Sequence, residues 1–349
     1  MTLNLLPGPE GWHLCACEAE RVERLSAFPL PGWMMWCWSD DRRHVLTVDQ
    51  GGKRVTTYRL EGEAFVRTMS PSTLPKDVKA HCIAMKGEQP YIGEKSLWVP
   101  RGPREWEHIP MPEFAQGEGK RLDGILLDGD RLVAVDDILL PKYNLEYDVS
   151  DPATPVYVGS KRIRANISYE RIYSVAGGTR WFVTLSRGIN HGNQASYCTV
   201  FHLETLNQVW AYPFWSYFMG TKTEISLRHA VFLDDCMCML VDHEEGPRLH
   251  WLDLTDEVLP APRKPRPKAK RKPRSEMTPE ELEEHRRARA EFRRKAHMFE
   301  TPITGFARVH HLQACGSGQG VYLTGPDHDG QPQTRWQPIP PTPPEPTEV

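Results

Sequence analysis

The 349-residue chain has no apolar run near the roughly 20 residues that a helix needs to cross a bilayer, so no membrane partner is expected. Its first residues, Met1-Thr-Leu-Asn-Leu-Leu-Pro, lack a basic start, a sustained apolar stretch and a small-residue cleavage site, and predict no export. Cysteines are few: Cys15, Cys17, Cys37, Cys82, Cys198, Cys236, Cys238 and Cys315 are scattered too widely for a disulfide framework. They read as buried thiols of a reducing compartment, and the cytoplasm is the expected location. No Gly-x-Ser-x-Gly elbow, His-Glu-x-x-His pair or phosphate-binding P-loop occurs. The sequence therefore assigns no catalytic residue, no metal ligand and no cofactor. Long amphipathic helical patterns are missing except in one place.

What is present is a repeated unit. Six times an apolar run enters a polar or glycine-containing turn and leaves as a second apolar run. Trp38–Asp49, Ala84–Gly93, Leu127–Asp136, Ala176–Leu185, Leu233–Asp242 and Ala314–Leu323 are the copies, and three of them end in Val-Asp. A period of roughly 40–50 residues, with short strand-sized bursts between turn residues, is the pattern of a propeller built from four-stranded blades. The expected fold is all-β: a single β-propeller of six blades, with residues 1–260 and 300–338 in the ring. Trp12–Ala19 and Val22–Phe28 precede the first full unit and are expected to complete the last blade, because a ring with open edges invites aggregation. Seven blades result instead if these pieces and the fifth-blade insertion build another sheet.

One stretch, Tyr147-Asp-Val-Ser-Asp-Pro-Ala-Thr-Pro-Val-Tyr-Val-Gly159, resembles the LVIVD-type propeller repeat. Asp151-Pro152 starts a tight turn, and Pro155 enters the next strand where no ladder donor is required. The resemblance implies a blade and carries no catalytic residue. The Trp-Asp and Gly-His signatures of WD40 blades and the paired glycines of kelch blades are absent. The ring is WD40-like in outline only.

The composition changes abruptly after Leu259. Residues 261–299 hold fourteen Lys or Arg against six Asp or Glu, a net +8 in a chain of −3, which leaves −11 on the rest. Arg263, Lys264, Arg266, Lys268, Lys270, Arg271, Lys272 and Arg274 repel one another and predict an extended basic linker. This run is the candidate contact for nucleic-acid phosphates, although no aromatic residue interleaves it for base stacking. Thr278-Pro-Glu-Glu281 then reads as a capping box opening a helix to about Phe299, placed as an insertion in the fifth blade. Its larger apolar positions, Leu282, Phe292 and Phe299, are the candidate partner-binding face. Residues 339–349 form a proline-rich tail.

Side-chain chemistry is sparse. Cys15-x-Cys17 and Cys236-x-Cys238 have the wrong spacing for zinc, since i and i+2 side chains on a strand stand about 7 Å apart. His310-His311 lies on a predicted strand, so its rings point to opposite faces. Asp136-Asp137, Asp242-His243-Glu244-Glu245 and Asp327-His328-Asp329 are expected on one rim, as turn residues or a cation-attracting patch. The leading expectation is a noncatalytic scaffold or adaptor with a protein partner. In general style the chain resembles propeller subunits of bacterial conflict and defence systems, which implies a nucleic-acid-associated accessory role as one alternative. A propeller hydrolase or lyase working at the channel through His and Asp is another.

Overall fold

The computed structural model describes residues 2–8, 11–28, 33–102, 104–116, 120–136, 141–163, 169–190, 193–218, 221–222, 225–234, 236–254, 278, 298–315 and 318–340. The described residues form seven antiparallel sheets, each built from strands consecutive in sequence. Blade one holds β1 (Thr2–Gly8), β2 (Gly11–Glu18) and β3 (Arg21–Phe28). Blade two holds β4 (Trp33–Trp38), β5 (His44–Asp49), β6 (Arg54–Glu61) and β7 (Ala64–Thr73). Blade three runs through β8 (Cys82–Lys86), β9 (Gln89–Gly93), β10 (Ser96–Pro100) and β11 (Trp106–Pro110). Blade four has β12 (Leu122–Asp128), β13 (Arg131–Asp136), β14 (Lys142–Asp148) and β15 (Val156–Ile163). Blade five has β16 (Tyr169–Gly177), β17 (Trp181–Asn190), β18 (Asn193–His202), β19 (Gln208–Phe218) and the short β20 (Thr221–Lys222). Blade six is β21 (Ser226–Leu233), β22 (Cys236–His243), β23 (Gly246–Asp253) and β24 (Met298–Pro302). Blade seven is β25 (His311–Ala314), β26 (Gly320–Pro326) and β27 (Pro332–Pro338). Among the described residues the only helical element is a single 3-10 turn at Glu113–Ala115.

Strand alternation explains how each sheet serves two interfaces. Leu132 and Ala134 of β13 pack toward blade three, whereas Val133 and Val135 pack toward blade five. In β22, Met237, Met239 and Val241 face blade five, and Cys238 and Leu240 face blade seven. Such strands are apolar on both faces because neither face meets water; each fully buried aliphatic side chain contributes about 1.5–3 kcal/mol. One apolar cluster fills each of the seven junctions between neighbouring blades. The first strand of each blade from two to seven touches its counterpart in the next, so these strands line the central channel.

The ring has seven blades, not six. The N-terminal pieces do not complete another sheet: with β1, which the sequence reading passed over, they form a blade of their own. β1 pairs with β2 from Thr2↔Cys17 to Gly8↔Gly11. Closure between blades one and seven uses side chains instead of a shared strand. Gln313 Nε2 donates to Asn4 Oδ1 (2.7 Å), and Tyr322 Oη donates to the Ala19 carbonyl (2.9 Å). Leu6, Cys15 and Cys17 pack there against Cys315 and Tyr322.

The expected helix also needs correction at its end. Phe299 lies in β24, opposite Trp251 of β23, with ring centroids 6.4 Å apart. Helical propensity yields here to the ladder, because blade six needs a fourth strand to cover β23. Residues 261–277 and 279–297 of the insertion, including Leu282, Phe292 and the run 263–274, lie outside the described residues, as does the tail from 341 onward.

Candidate functional site at the channel mouth

Four channel-lining strands carry a register irregularity near their start. Pairing slips by one residue between Trp33 and Met35, Leu122 and Gly124, Ile172 and Ser174, and Leu227 and His229. A bulge re-aims the side chain at the slip and increases local twist. In blades four, five and six the re-aimed residues are Asp123, Tyr173 and Arg228. All three sit at one mouth of the channel.

Over blades five to seven this mouth opens into a cavity of about 660 Å³. Its described lining is Tyr173, Arg187, Gly188, Ile189 and Gln194 from blade five, Leu227, Arg228 and His229 from blade six, and His310 just before β25. Tyr173 Oη donates to the Leu227 carbonyl at 2.6 Å, tying the two blades together under the cavity floor. Arg187 Nη2 donates to Ser226 Oγ at 3.0 Å, and its guanidinium lies 5.9 Å from the Tyr173 ring centre. Arg228 Nε meets Asp242 Oδ2 at 3.2 Å, so its charge is balanced within blade six. Burial, and then the nearby Arg228, lower the pKa of His229, which is neutral near pH 7. His311 packs against Trp12 and Trp36 and lies 6.5 Å from the His229 ring, and burial lowers its pKa to about 4.

Blade four contributes a buried ionic knot at the same level. Lys120 Nζ donates to Asp136 Oδ2 (2.7 Å) and to the Pro141 carbonyl, with side chains 6% and 0% exposed. Arg121 Nε donates to Asp123 Oδ1 at 2.8 Å. Lys142 and Asn144 are also fully buried. Desolvation raises the pKa of Asp136 to about 6, outweighing the attraction of Lys120.

The rim acids of blade six have specific partners. Besides Asp242 with Arg228, Glu245 meets Arg248 Nη2 at 2.5 Å, and His243 Nε2 lies 3.0 Å from His250 Nε2. With Glu300, the two histidines form a group whose ligand atoms all lie within 4.8 Å. Their rings are coplanar to 4°, with centroids 5.2 Å apart, so the two nitrogens face each other head-on. Lone pairs aimed at one another suit a shared proton. A zinc ion at about 2.0–2.1 Å from both would lie well off each lone-pair axis. Asp327 caps its own turn, accepting from the main-chain N–H of Asp329 and Gln331. All eight cysteines are free thiols.

Sequence reasoning singled out His310 and Asp242 but missed Tyr173, Arg187, Arg228 and His229. A signal was available: Ser226–Leu233 places Arg228-His229 inside a run that otherwise reads as a buried channel strand. That interruption of the alternation marks the bulge.

Fold and mouth together define a single seven-bladed β-propeller, all-β, with one 3-10 turn as the only helical element among the described residues. No protein-family model and no curated protein matches the chain. Solved structures share the architecture. The periplasmic gluconolactonase of Pseudomonas aeruginosa superposes with a TM-score of 0.53 at 12% identity, over 97% of this chain and 99% of that one. The Cps50 (Swd1) β-propeller domain of Myceliophteria thermophila gives 0.53 at 12% identity, over 96% of each chain. Kuenenia stuttgartiensis hydrazine synthase gives 0.52 at 11% identity, over 85% of this chain and 74% of that one. Likeness at this identity extends to the fold alone. No helix among the described residues is long and apolar enough to cross a membrane.

Proposed function

We propose that the chain is a noncatalytic scaffold of an intracellular multi-protein system, which docks a protein partner along the outer edge of blade four. One observation carries this reading. Seven large hydrophobic side chains are exposed among the described residues, and four of them, Phe114, Val156, Tyr157 and Val158, gather at that edge. Val156 and Val158 of β15 are each 61% exposed, and Tyr157 between them lies near Phe114, at a centroid distance of 6.4 Å. Among the described strands β15 pairs with β14 alone. Its other side would take a strand from a partner, main chain to main chain, with apolar side chains to hold that strand in register. The segment that resembles an LVIVD repeat, residues 147–159, supplies this edge.

The test is affinity capture from the source cells with the wild-type chain and a Val156→Asp/Val158→Asp double variant. Both positions are exposed, so the variant should keep the wild-type circular dichroism and melting curve. A stoichiometric protein should accompany the wild type and fall at least about tenfold with the variant, as expected when hot-spot side chains are replaced. Equal recovery with both chains, or a wild-type chain that elutes alone, sinks the proposal.

A further inference from the structure

We infer that the cavity shared by blades five, six and seven binds a small organic monoanion, a carboxylate carried on a flat apolar body. This inference is independent of the docking edge on blade four. Size comes first: about 660 Å³ falls inside the range of about 300–1,000 Å³ typical of small-molecule sites. The wall is apolar where a ligand body would lie. Tyr173 and Ile189 are 42% and 53% exposed, two of the seven large hydrophobics exposed among the described residues, and the buried Leu227 lies behind them at the cavity wall.

The charge of the ligand follows from the cations. Arg228 is matched by Asp242 at 3.2 Å, and burial keeps His229 neutral. Arg187 differs: its partners are the Ser226 hydroxyl and the Tyr173 ring, and no described carboxylate pairs with it. One unbalanced guanidinium presents a planar fork that suits one carboxylate in a bidentate pair. A phosphate dianion would need a second unmatched cation, which the described lining does not provide. The Arg187 guanidinium near the Tyr173 ring also places the charge beside the apolar wall, so a carboxylate bound to it carries its attached ring onto Tyr173 and Ile189. Strand geometry holds these groups: Arg187 sits in the β17–β18 ladder opposite Ser196, and Tyr173 is aimed by the bulge in β16.

Benzoate, its uncharged isostere benzamide and phenyl phosphate are suitable probes, measured on the full chain by saturation-transfer NMR and calorimetry at low salt. Benzoate should bind at millimolar concentration or tighter, with benzamide at least about tenfold weaker. Arg187→Gln should weaken benzoate at least about tenfold, and Ile189→Glu should weaken it through the apolar wall. Both side chains are exposed, so folding is monitored by circular dichroism and should be unchanged. No benzoate binding, equal binding of benzamide, tenfold tighter binding of phenyl phosphate, or unchanged affinity in folded Arg187→Gln would each overturn the inference.

Discussion

Replacing Asp136 with alanine is expected to destabilise the chain by about 3–5 kcal/mol, the usual cost of leaving one member of a buried ion pair without the other. Asp136 is fully buried at the end of β13, and Lys120 reaches it from the segment before β12 at 2.7 Å. Lys142, also fully buried, faces the same carboxylate electrostatically. Removing the anion leaves two buried ammonium groups repelling each other beside Arg121. Urea denaturation at pH 7.5 reads the change directly, and a loss below about 1 kcal/mol would show that water or another group compensates. The pH dependence has a definite sign. The folded-state pKa of Asp136 is raised to about 6, above the value of about 3.9 in an unfolded chain. Between these values the folded state holds a proton that the unfolded state has lost. The contribution of this group is therefore present below about pH 4 and declines as pH rises through 6. Asp136→Asn should remove that slope while keeping the shape of the side chain.

Gly325→Ala is expected to cost about 3 kcal/mol or more, because the added methyl meets main chain and cannot be relieved by a rotamer change. A Cβ at Gly325 would lie 2.0 Å from the Arg308 carbonyl oxygen and 3.1 Å from both the Arg308 carbonyl carbon and Val309 Cα. The 307–310 segment is held on β26 by Ala307 N–H to the Pro326 carbonyl (3.0 Å) and His310 N–H to the Thr324 carbonyl (2.8 Å). Making room for the methyl must stretch these bonds and shift His310, a cavity residue. Gly330→Ala is the control. Gly330 has a φ of +78° with nothing within 4 Å of a built Cβ, so only backbone strain of about 1–2 kcal/mol is expected there. Equal losses at the two glycines in thermal melts would contradict the close approach at β26.

The sheets were legible because their signal is local. The repeat copies Leu127–Asp136 and Ala84–Gly93 straddle the turns of the β12–β13 and β8–β9 hairpins, as two apolar runs around a turn predict. β1 escaped because Thr2–Gly8 ends in Pro7-Gly8, which reads as a breaker, and stands outside the repeated unit. Without it, two strands looked surplus and the blade count fell to six. The mouth was harder to read for a different reason. Tyr173, Arg187, Arg228, His229 and His310 come from three blades, and their convergence depends on ring closure, which no window of sequence contains. A one-residue bulge moves a side chain to the other face without changing composition, so only the break in apolar alternation at Arg228-His229 hints at it. Asp136 was placed on the rim as a turn acid; its burial depends on Lys120, sixteen residues earlier across an intervening strand.

Six of the seven blade junctions are crossed by the polypeptide itself, and the seventh, between β25–β27 and β1–β3, is not. Since every sheet is made only of consecutive strands, this last junction fastens like the clasp of a bracelet: Gln313 on Asn4, Tyr322 on Ala19, and a patch of thiols and aliphatic groups between them. Unfastening it would break no rung of any ladder, and the remaining blades would stay strung together in their original order.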